Sequence, residues 1–303
     1  MTKSPLPSLL AFIISTLLSG ALSSADDIVI VGGEGVDCIE DPGCVNRLHP
    51  DIPMAARAKP GQTILFRARD ARDVLGAAAA QTTEPDTLTN EFGRVHPITG
   101  PVYIEGAVAG DVLKVTLNNI DPGSYAYTSG GSSGFIPDLV GGQSLVIWRL
   151  NRDYAESDDL PGIRIPNGSF PGVVTTMPGP NQLRVMLARE QELADVGGRV
   201  SLPSADFADP ATLCGPGGSA SRECLRTIPP REHGGNMDIR YLKAGVSIYL
   251  PCFIDGCGLA IGDLHYAQGD GEVSGTAIEM SADVWATTEV LKDGPDLSRG
   301  PHY

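Results

Sequence analysis

The sequence predicts a mainly β protein, a sandwich or barrel of short strands with one or two helices. Glycine (37) and proline (24) make up about a fifth of the 303 residues, and both residues interrupt helices and favour turns. Several segments alternate apolar and polar residues with the period of a half-buried strand, whereas one segment has the period of a helix. A chain of this length can bury a sizeable core.

The first 25 residues have the pattern of a secretory signal. Lys3 precedes the apolar run 9–22, and small residues follow before Asp26. This run is too short and too early for a useful membrane anchor, although an uncleaved anchor is the alternative. We therefore expect a secreted or periplasmic protein, with residues 26–303 as the mature β domain and no stable membrane association after signal removal.

Strands are predicted after an irregular segment at 26–58. The segments TILFRARDA (63–71) and KVTLNNI (114–120) alternate apolar and polar residues, and SLVIWRL (144–150) is a further strand. The polar residues between the first two strands are expected to form a loop or a single helical turn.

One segment has the sequence pattern of an amphipathic α-helix. NQLRVMLAREQELADV (181–196) has apolar residues at helical spacing, and a double glycine follows it. Residues 203–230 are rich in proline and glycine and contain two cysteines, so we expect a long, disulfide-stapled excursion from the body of the domain.

The C-terminal part predicts strands again. VSIYLPCFI (246–254) and GLAIGDLHY (258–266) flank an Asp-Gly turn, which is a strong hairpin signal. Cys252 and Cys257 would then lie on facing arms of the hairpin. The segment 273–290 follows as another strand.

The six cysteines fit an exported protein that is stabilised by disulfides. Spacing alone leaves fifteen pairings open, and a zinc site of four thiolates is the rival interpretation, but CxxC spacings are absent. The simplest proposal is three local disulfides: Cys38 with Cys44, Cys214 with Cys224, and Cys252 with Cys257.

The charge balance excludes one class of partner. The formal net charge of −15 argues against nucleic-acid binding, because phosphate contacts need clustered Lys and Arg. The sequence leaves a homo-oligomer open.

Two polar clusters are candidates for a functional site. In LAIGDLH, Asp263 and His265 project from the same face of a strand, and the glycines of GDGE allow a bend that returns Glu272 toward them. Such groups suit a divalent metal or a proton-transfer pair. The alternative is that the aspartates only make turn hydrogen bonds and His265 fills a half-buried position.

The second cluster, in PPREHGGNMDIRYL, places His233, Asn236 and Asp238 around a double glycine just before the hairpin. The two clusters are predicted to converge at the open end of this hairpin. A third motif, GGSSG at 130–134, matches a nucleophile elbow around Ser132. Its flanks supply neither the preceding strand nor the following helix, so a flexible loop is the favoured interpretation.

The segment PPREHGGNMDIRYLKAGVSIYLPCFIDGCGLAIGDLHYAQGDGEVSGTAIE (229–279) closely resembles the acetamidase/formamidase family, which hydrolyses small amides to carboxylates and ammonia. Earlier segments, among them HPITGPVYIEGAVAGDVLKVTLNNI, resemble it as well. The resemblance implies a mainly β fold, a small amide substrate and a divalent metal, zinc in the first place with calcium as the alternative. The matching polar residues are His233, Asn236, Asp238, Asp263, His265, Asp270, Glu272 and Glu105.

From these residues we expect Asp263, His265, Asp238 and His233 to bind metal. Glu272 would transfer the proton, Asn236 would orient the substrate carbonyl, and Glu105 is a plausible addition to the catalytic residues. The family pattern is altered at 70–75 and at 273–276. These departures leave two alternatives open: an exported hydrolase of lactams or acylated amines, and a non-catalytic binding homologue on the same scaffold.

Overall fold

The computed structural model describes residues 28–33, 37–73, 92–130, 134–136, 138–139, 144–297 and 300–303. The predicted signal sequence, the candidate elbow serine Ser132 and most of the loop after residue 73 lie outside these ranges. Among the residues with described structure, no helix combines the length and apolar character needed to cross a membrane.

The predicted mainly β fold is confirmed, with two helices in the described ranges. The helices are α1 (Pro180–Asp195) and α2 (Ala211–Cys214). The strands are β1 (Val29–Val31), β2 (Cys44–Val45), β3 (Arg47–Leu48), β4 (Ala56–Ala58), β5 (Ile64–Ala68), β6 (Ile98–Ile104), β7 (Val112–Gly130), β8 (Ser144–Leu150), β9 (Tyr154–Glu156), β10 (Arg164–Pro166), β11 (Phe170–Thr175), β12 (Leu225–Arg226), β13 (Gly234–Asn236), β14 (Ser247–Pro251), β15 (Cys257–His265) and β16 (Glu279–Leu291).

Fourteen of these strands belong to one large, mostly antiparallel sheet, and β3 pairs with β12 separately. The long strands β7 and β16 pair along most of their length, from Val112 opposite Leu291 to Tyr127 opposite Glu279. Strand β15 lies at the centre, because it pairs with β6, β11 and β16. All nine residues of β15 are buried, which explains why its sequence is apolar on both faces.

The predicted hairpin at Asp255-Gly256 is wrong, although both of its strands exist. Strand β14 pairs with β7, whereas β15 pairs with the three strands named above. The chain therefore turns between strands that have different neighbours. The disulfide between Cys252 and Cys257 spans this turn, so it does not link facing arms of a hairpin.

The other two predicted disulfides are also present, Cys38–Cys44 and Cys214–Cys224. The segment 203–230 is a long loop, as predicted, but it contains α2 and β12 and packs closely against the body. Cys214, Cys224 and Leu225 are buried in a second apolar core together with side chains of α1. The segment 26–58 was predicted to be irregular and instead contains β1 to β4, because very short strands leave little periodic signal.

The predicted helix 181–196 corresponds to α1. Leu183 and Met186 face the second core, and Glu190 is also buried. Glu190 forms a buried ion pair with Arg231, whose Nε lies 2.6 Å from Glu190 Oε1. Because an unpaired buried charge is costly, this ion pair anchors the segment around residue 231 to the helix.

Candidate functional site

The candidate site is built around the C-terminal end of β15. Asp263 and His265 are 2% and 1% exposed, and His265 Nε2 lies 3.5 Å from Asp263 Oδ1. The ring of Phe170, on the neighbouring strand β11, packs edge-on against the imidazole with the ring centroids 5.0 Å apart. The two side chains predicted to share a face are therefore held together in an enclosed space.

Strand β11 brings the second polar cluster to the first, because β13 pairs with one edge of β11 and β15 pairs with the other. Asp238 follows β13, and its backbone N–H donates to the carbonyl oxygen of Gly172 in β11. Asp238, Asp263 and His265 each offer a ligand atom, and these atoms all lie within 4.8 Å of one another. The two sequence clusters do converge, but across β11 and not at the end of a hairpin.

Glycine at position 172 is required by this arrangement. A Cβ built on Gly172 would lie 2.5 Å from Asp263 Oδ2 and 2.6 Å from Asp238 Oδ1. Both distances are shorter than any van der Waals contact. The space between the two carboxylates therefore exists only because residue 172 has no side chain.

A second group joins His265 to Glu272 and Glu279, again with ligand atoms within 4.8 Å. Glu279 Oε2 lies 3.3 Å from His265 Nε2, and Glu279 Oε1 accepts a hydrogen bond from the Ala277 N–H at 2.8 Å. We call the five residues of the two groups the acidic cluster: Asp238, Asp263, His265, Glu272 and Glu279.

Sequence reasoning missed Glu279 and His96. Glu279 is 1% exposed, and charged residues are rarely buried so completely unless they are paired or have a function. His96 precedes β6, and its Nε2 lies 3.9 Å from Asp263 Oδ2. His96 begins the segment HPITGPVYIEGA, in which only Glu105 was singled out.

Four of the predicted site residues lie outside the acidic cluster: Glu105, Asp270, His233 and Asn236. Glu105 follows β6 beyond the pairing of Tyr103 with Cys257, so it is at the opposite end of β15 from Asp263, roughly 20 Å along the strand at about 3.3 Å per residue. Asp270 is exposed and forms an ion pair with Arg240. The structure therefore does not bring Glu105 or Asp270 into the cluster.

His233 is buried but turns to other partners. Its Nδ1 is 2.7 Å from Thr175 Oγ1, at the register where Gly234 pairs with Thr175. Asp238, two residues after the end of β13, lies near Gly172, which is three residues before Thr175 in β11. Its predicted partnership with Asp263 and His265 is therefore not formed. Asn236 lies opposite Val173, and its Oδ1 is buried without a hydrogen-bond partner.

Comparison with known proteins identifies the chain. The profile of the Acetamidase/Formamidase family matches residues 37–300, which is most of the sequence. The chain belongs to the acetamidase/formamidase family. The resemblance that residues 229–279 carry is thereby confirmed, and the acidic cluster lies within the matched region.

Individual relatives support this membership. Over 275 residues the chain is 33% identical to an acetamidase of Mycolicibacterium smegmatis, covering 82% of this chain and 66% of the relative. A formamidase of Methylophilus methylotrophus is also 33% identical over 265 residues, covering 82% and 64%. The solved structure of a gamma lactamase from Delftia acidovorans has a TM-score of 0.83 and 29% identity, covering 91% of this chain and 71% of that one. This family member spans about two thirds of the length of the two curated relatives.

Burial and crowded carboxylates shape the electrostatics of this family member's cluster. Burial, with the Asp238 and Glu279 carboxylates, raises the pKa of Glu272 to about 8. Burial and the Asp263 carboxylate raise the pKa of Asp238 to about 7. Burial opposes charge on Asp263 too, but His96 and His265 outweigh it and lower the pKa of Asp263 to about 2. The cluster therefore binds protons that ordinary carboxylates would have released.

The pKa values of the two histidines His265 and His233 are shifted in opposite directions. Burial disfavours charge on His265, yet Glu279 and Asp263 raise its pKa well above the usual value. Burial and the nearby Arg231 lower the pKa of His233 to about 3. A neutral His233 beside Thr175 is consistent with a structural position apart from the cluster.

The acidic cluster fits a divalent cation. Four buried atoms of the cluster lack a hydrogen-bond partner: Asp238 Oδ1, Asp263 Oδ1, Glu279 Oε2 and His265 Nδ1. Buried polar atoms are rarely left in this state without a water or an ion to satisfy them. Carboxylate oxygens with an imidazole nitrogen form a donor set that suits zinc, whereas calcium takes six to eight oxygen ligands. Asp238, Asp263 and His265 are the residues that would hold the ion.

These pKa values predict how stability depends on pH without metal. Near pH 6.5 the folded protein holds protons on Glu272 and Asp238 that the unfolded chain has released, and at higher pH folded His265 keeps the proton that an unfolded imidazole loses. The free energy of unfolding should therefore fall between pH 6.5 and 9, by about 3 kcal/mol from the two carboxyl groups alone. His233 is neutral when folded, and its unfolded imidazole, about half protonated at pH 6.5, offsets less than about 0.5 kcal/mol of this fall. Urea denaturation of chelator-treated protein at both pH values measures the change.

Two comparisons make this pH prediction specific. Saturating divalent metal should weaken the pH dependence, because a bound cation stabilises the deprotonated carboxylates. Replacing Glu272 by Gln should make the fall in the free energy of unfolding between pH 6.5 and 9 smaller. Greater stability of the metal-free protein at pH 9 than at pH 6.5 would contradict the arrangement.

Proposed function

We propose that this protein hydrolyses the carbon–nitrogen bond of small linear amides, of the formamide and acetamide class, to a carboxylate and ammonia. A divalent metal ion, zinc in the first place, assists the reaction. The observation that supports this function most directly is the buried acidic cluster inside a chain of the acetamidase/formamidase family.

An amide resists attack by neutral water, so the site must provide a stronger nucleophile, stabilise the oxyanion and protonate the leaving nitrogen. A divalent ion held by Asp238, Asp263 and His265 would supply Lewis acidity and promote ionisation of water. The remaining tasks belong to the protein's own side chains, and each requires a group close to the cluster.

Glu272 is the proposed proton carrier. It accepts a proton from the attacking water, the hydroxide oxygen bonds to the amide carbon, and the protonated Glu272 then donates to the nitrogen as the carbon–nitrogen bond breaks. A pKa of about 8 for Glu272 suits a group that both accepts and donates near neutral pH. Asn236 would orient the substrate carbonyl through its side-chain amide.

Glu279 has a supporting position. Its carboxylate contacts His265 Nε2 and accepts the Ala277 N–H, so it fixes the imidazole ring. A carboxylate that fixes a histidine in this way sets which ring nitrogen is available to a ligand. We propose that Glu279, through this contact, orients the His265 ring within the cluster.

A second candidate function is hydrolysis of a lactam. It is favoured by the gamma lactamase whose structure matches this chain at a TM-score of 0.83 and 29% identity. A lactam contains the same carbon–nitrogen bond in a ring, so the chemistry of the site would be unchanged. The two functions differ in their products: a linear amide releases ammonia, whereas the amine formed from a lactam remains attached to the carboxylate product.

Ammonia release tests the proposal. The purified protein should release ammonia from formamide or acetamide, and a chelator should abolish the activity until zinc is restored. A panel of small lactams, assayed for ring opening, separates the second function from the first. Protein that binds metal yet hydrolyses neither class would favour the non-catalytic homologue.

We also propose export, on the basis of the N-terminal apolar segment and the three disulfides. Disulfides persist in oxidising compartments and are rare in the cytosol. The mass of the mature protein from the culture medium or the periplasm would show whether the chain is cleaved near Asp26.

A further inference from the structure

A cavity of about 690 Å³ adjoins the acidic cluster. We call it the Trp148 pocket. Six of the residues that line it are Trp148, Ile165, Ala267, Glu272, Val273 and Ile278. These residues come from β8, β10 and the segment between β15 and β16, so the pocket lies beside the end of β15 that carries His265.

Glu272 connects the pocket to the site. Its carboxylate lies within 4.8 Å of ligand atoms of His265 and Glu279, and the same residue lines the pocket. An amide whose reacting carbon is close to Glu272 can therefore extend its remaining atoms into the Trp148 pocket.

The wall of the pocket is largely apolar, and its main polar groups already have partners. The Trp148 indole N–H donates to Thr128 Oγ1 at 3.0 Å, and the Thr128 hydroxyl donates to the Ala277 carbonyl oxygen at 2.7 Å. At the rim, Arg240 is paired with Asp270 and Lys243 is exposed. The interior consequently favours an apolar group over a charged one.

One polar atom near the cluster has no partner. The side-chain amide of Gln268, which also lines the pocket, donates through Nε2 to the Asp238 carbonyl oxygen at 3.2 Å. Its Oε1 is buried without a hydrogen-bond partner. A buried acceptor oxygen without a donor can accept a hydrogen bond from an N–H group of a primary carboxamide.

We infer that the Trp148 pocket binds the acyl group of the substrate, and that the preferred substrates are primary amides with a branched aliphatic or aromatic acyl group. This inference rests on the proposed function, because a leaving group of ammonia puts all the carbon of the substrate on the acyl side. A pocket of this volume falls in the range of about 300–1,000 Å³ that is typical of sites for much larger ligands than acetamide.

The first test compares acyl groups. Kinetics are measured with acetamide, phenylacetamide and the anionic succinamate on the zinc-loaded protein. Burial of a phenyl ring should raise kcat/KM for phenylacetamide at least ~10-fold over acetamide. Succinamate should be the poorest of the three, and a preference for it would overturn the assignment of an apolar acyl group.

The second test measures substrate binding directly and does not depend on turnover. Trp148 and Trp285 are the two tryptophans of the chain, so a Trp285→Phe variant reports on Trp148 alone. Stopped-flow addition of phenylacetamide should change its emission before product forms, and acetamide should change it much less. A Trp148→Phe variant should show no such change.

A substitution that fills part of the Trp148 pocket tests whether the acyl group binds there. Val273 is 44% exposed, so Val273→Trp should fold while it narrows the pocket, and it should lower the ratio of kcat/KM for phenylacetamide to that for acetamide at least ~10-fold. Val185→Trp, on the exposed face of α1 where Val185 is 61% exposed, is the matched control and should leave the ratio unchanged.

The outcomes separate this inference from the proposed function. Ammonia release from formamide and acetamide without any preference for phenylacetamide would overturn the pocket assignment and leave the function standing. A Trp148 signal with phenylacetamide, without ammonia release from any amide, would overturn the function and support the pocket.

Discussion

Replacing Glu272 by Gln should lower kcat for acetamide about 100- to 10,000-fold, the range expected when a general acid–base is lost. Glutamine keeps the size and the hydrogen-bonding capacity of the side chain but neither accepts nor donates the transferred proton. Metal content should remain near that of the unmodified protein, because Asp238, Asp263 and His265 form a group of potential ligands that does not include Glu272. Steady-state kinetics and elemental analysis measure the two quantities.

The matched control for this substitution is Glu289→Gln. Glu289 lies on β16, and its exposed side chain pairs with Lys114 on the surface, so the same chemical change there should alter kcat by less than about twofold. If Glu272→Gln retained near-normal turnover, Glu272 would not be the proton carrier. If it lost metal together with activity, Glu272 would instead be assigned to metal binding.

Local sequence periodicity predicted much of the fold. The segment SLVIWRL coincides with β8 and the helical segment 181–196 with α1 to within a residue or two, because amphipathic spacing reports directly on one buried face. The partner of a strand has no such local signal. The hairpin prediction failed for this reason: the Asp-Gly turn is real, but the antiparallel partner of β14 is β7, more than a hundred residues earlier in the chain.

The same distinction applies to the candidate site. The period of a strand was enough to place Asp263 and His265 together, the glycines of GDGE indicated the return of Glu272, and the second polar cluster contributed Asp238. Glu279 was hidden in an apolar strand, where its role depends on the pairing of His265 with Glu279 across β15 and β16. Such lateral pairing joins residues that no spacing rule connects.

His233 illustrates the opposite case. Its type and its position beside a double glycine favoured a ligand, and proximity in sequence to Asp238 reinforced the interpretation. In the sheet, a shift of a few residues along β11 places His233 next to Thr175. A residue type that suits metal binding therefore predicts a ligand only when the register of its strand is also known.

Replacing Gly172 by Ala should remove metal binding while the fold survives. The added Cβ would lie 2.5 Å from Asp263 Oδ2 and 2.6 Å from Asp238 Oδ1, so at least one carboxylate must move out of the cluster. Gly172 does not have a positive φ, and its backbone conformation is therefore open to alanine. Metal affinity should fall about 10- to 100-fold, as it does when the groups that orient metal ligands are disturbed. Amide hydrolysis should fall with it.

Gly269→Ala provides the comparison for metal content and stability. A Cβ at residue 269 would meet nothing within 4 Å, and Gly269 also lacks a positive φ, so this variant should bind metal as tightly as the unmodified protein. Calorimetric titration with zinc and urea denaturation measure both variants. Normal zinc affinity in a folded Gly172→Ala protein would show that the ion does not lie between Asp238 and Asp263. Because the two substitutions are chemically identical, any difference between them must come from what the methyl group contacts.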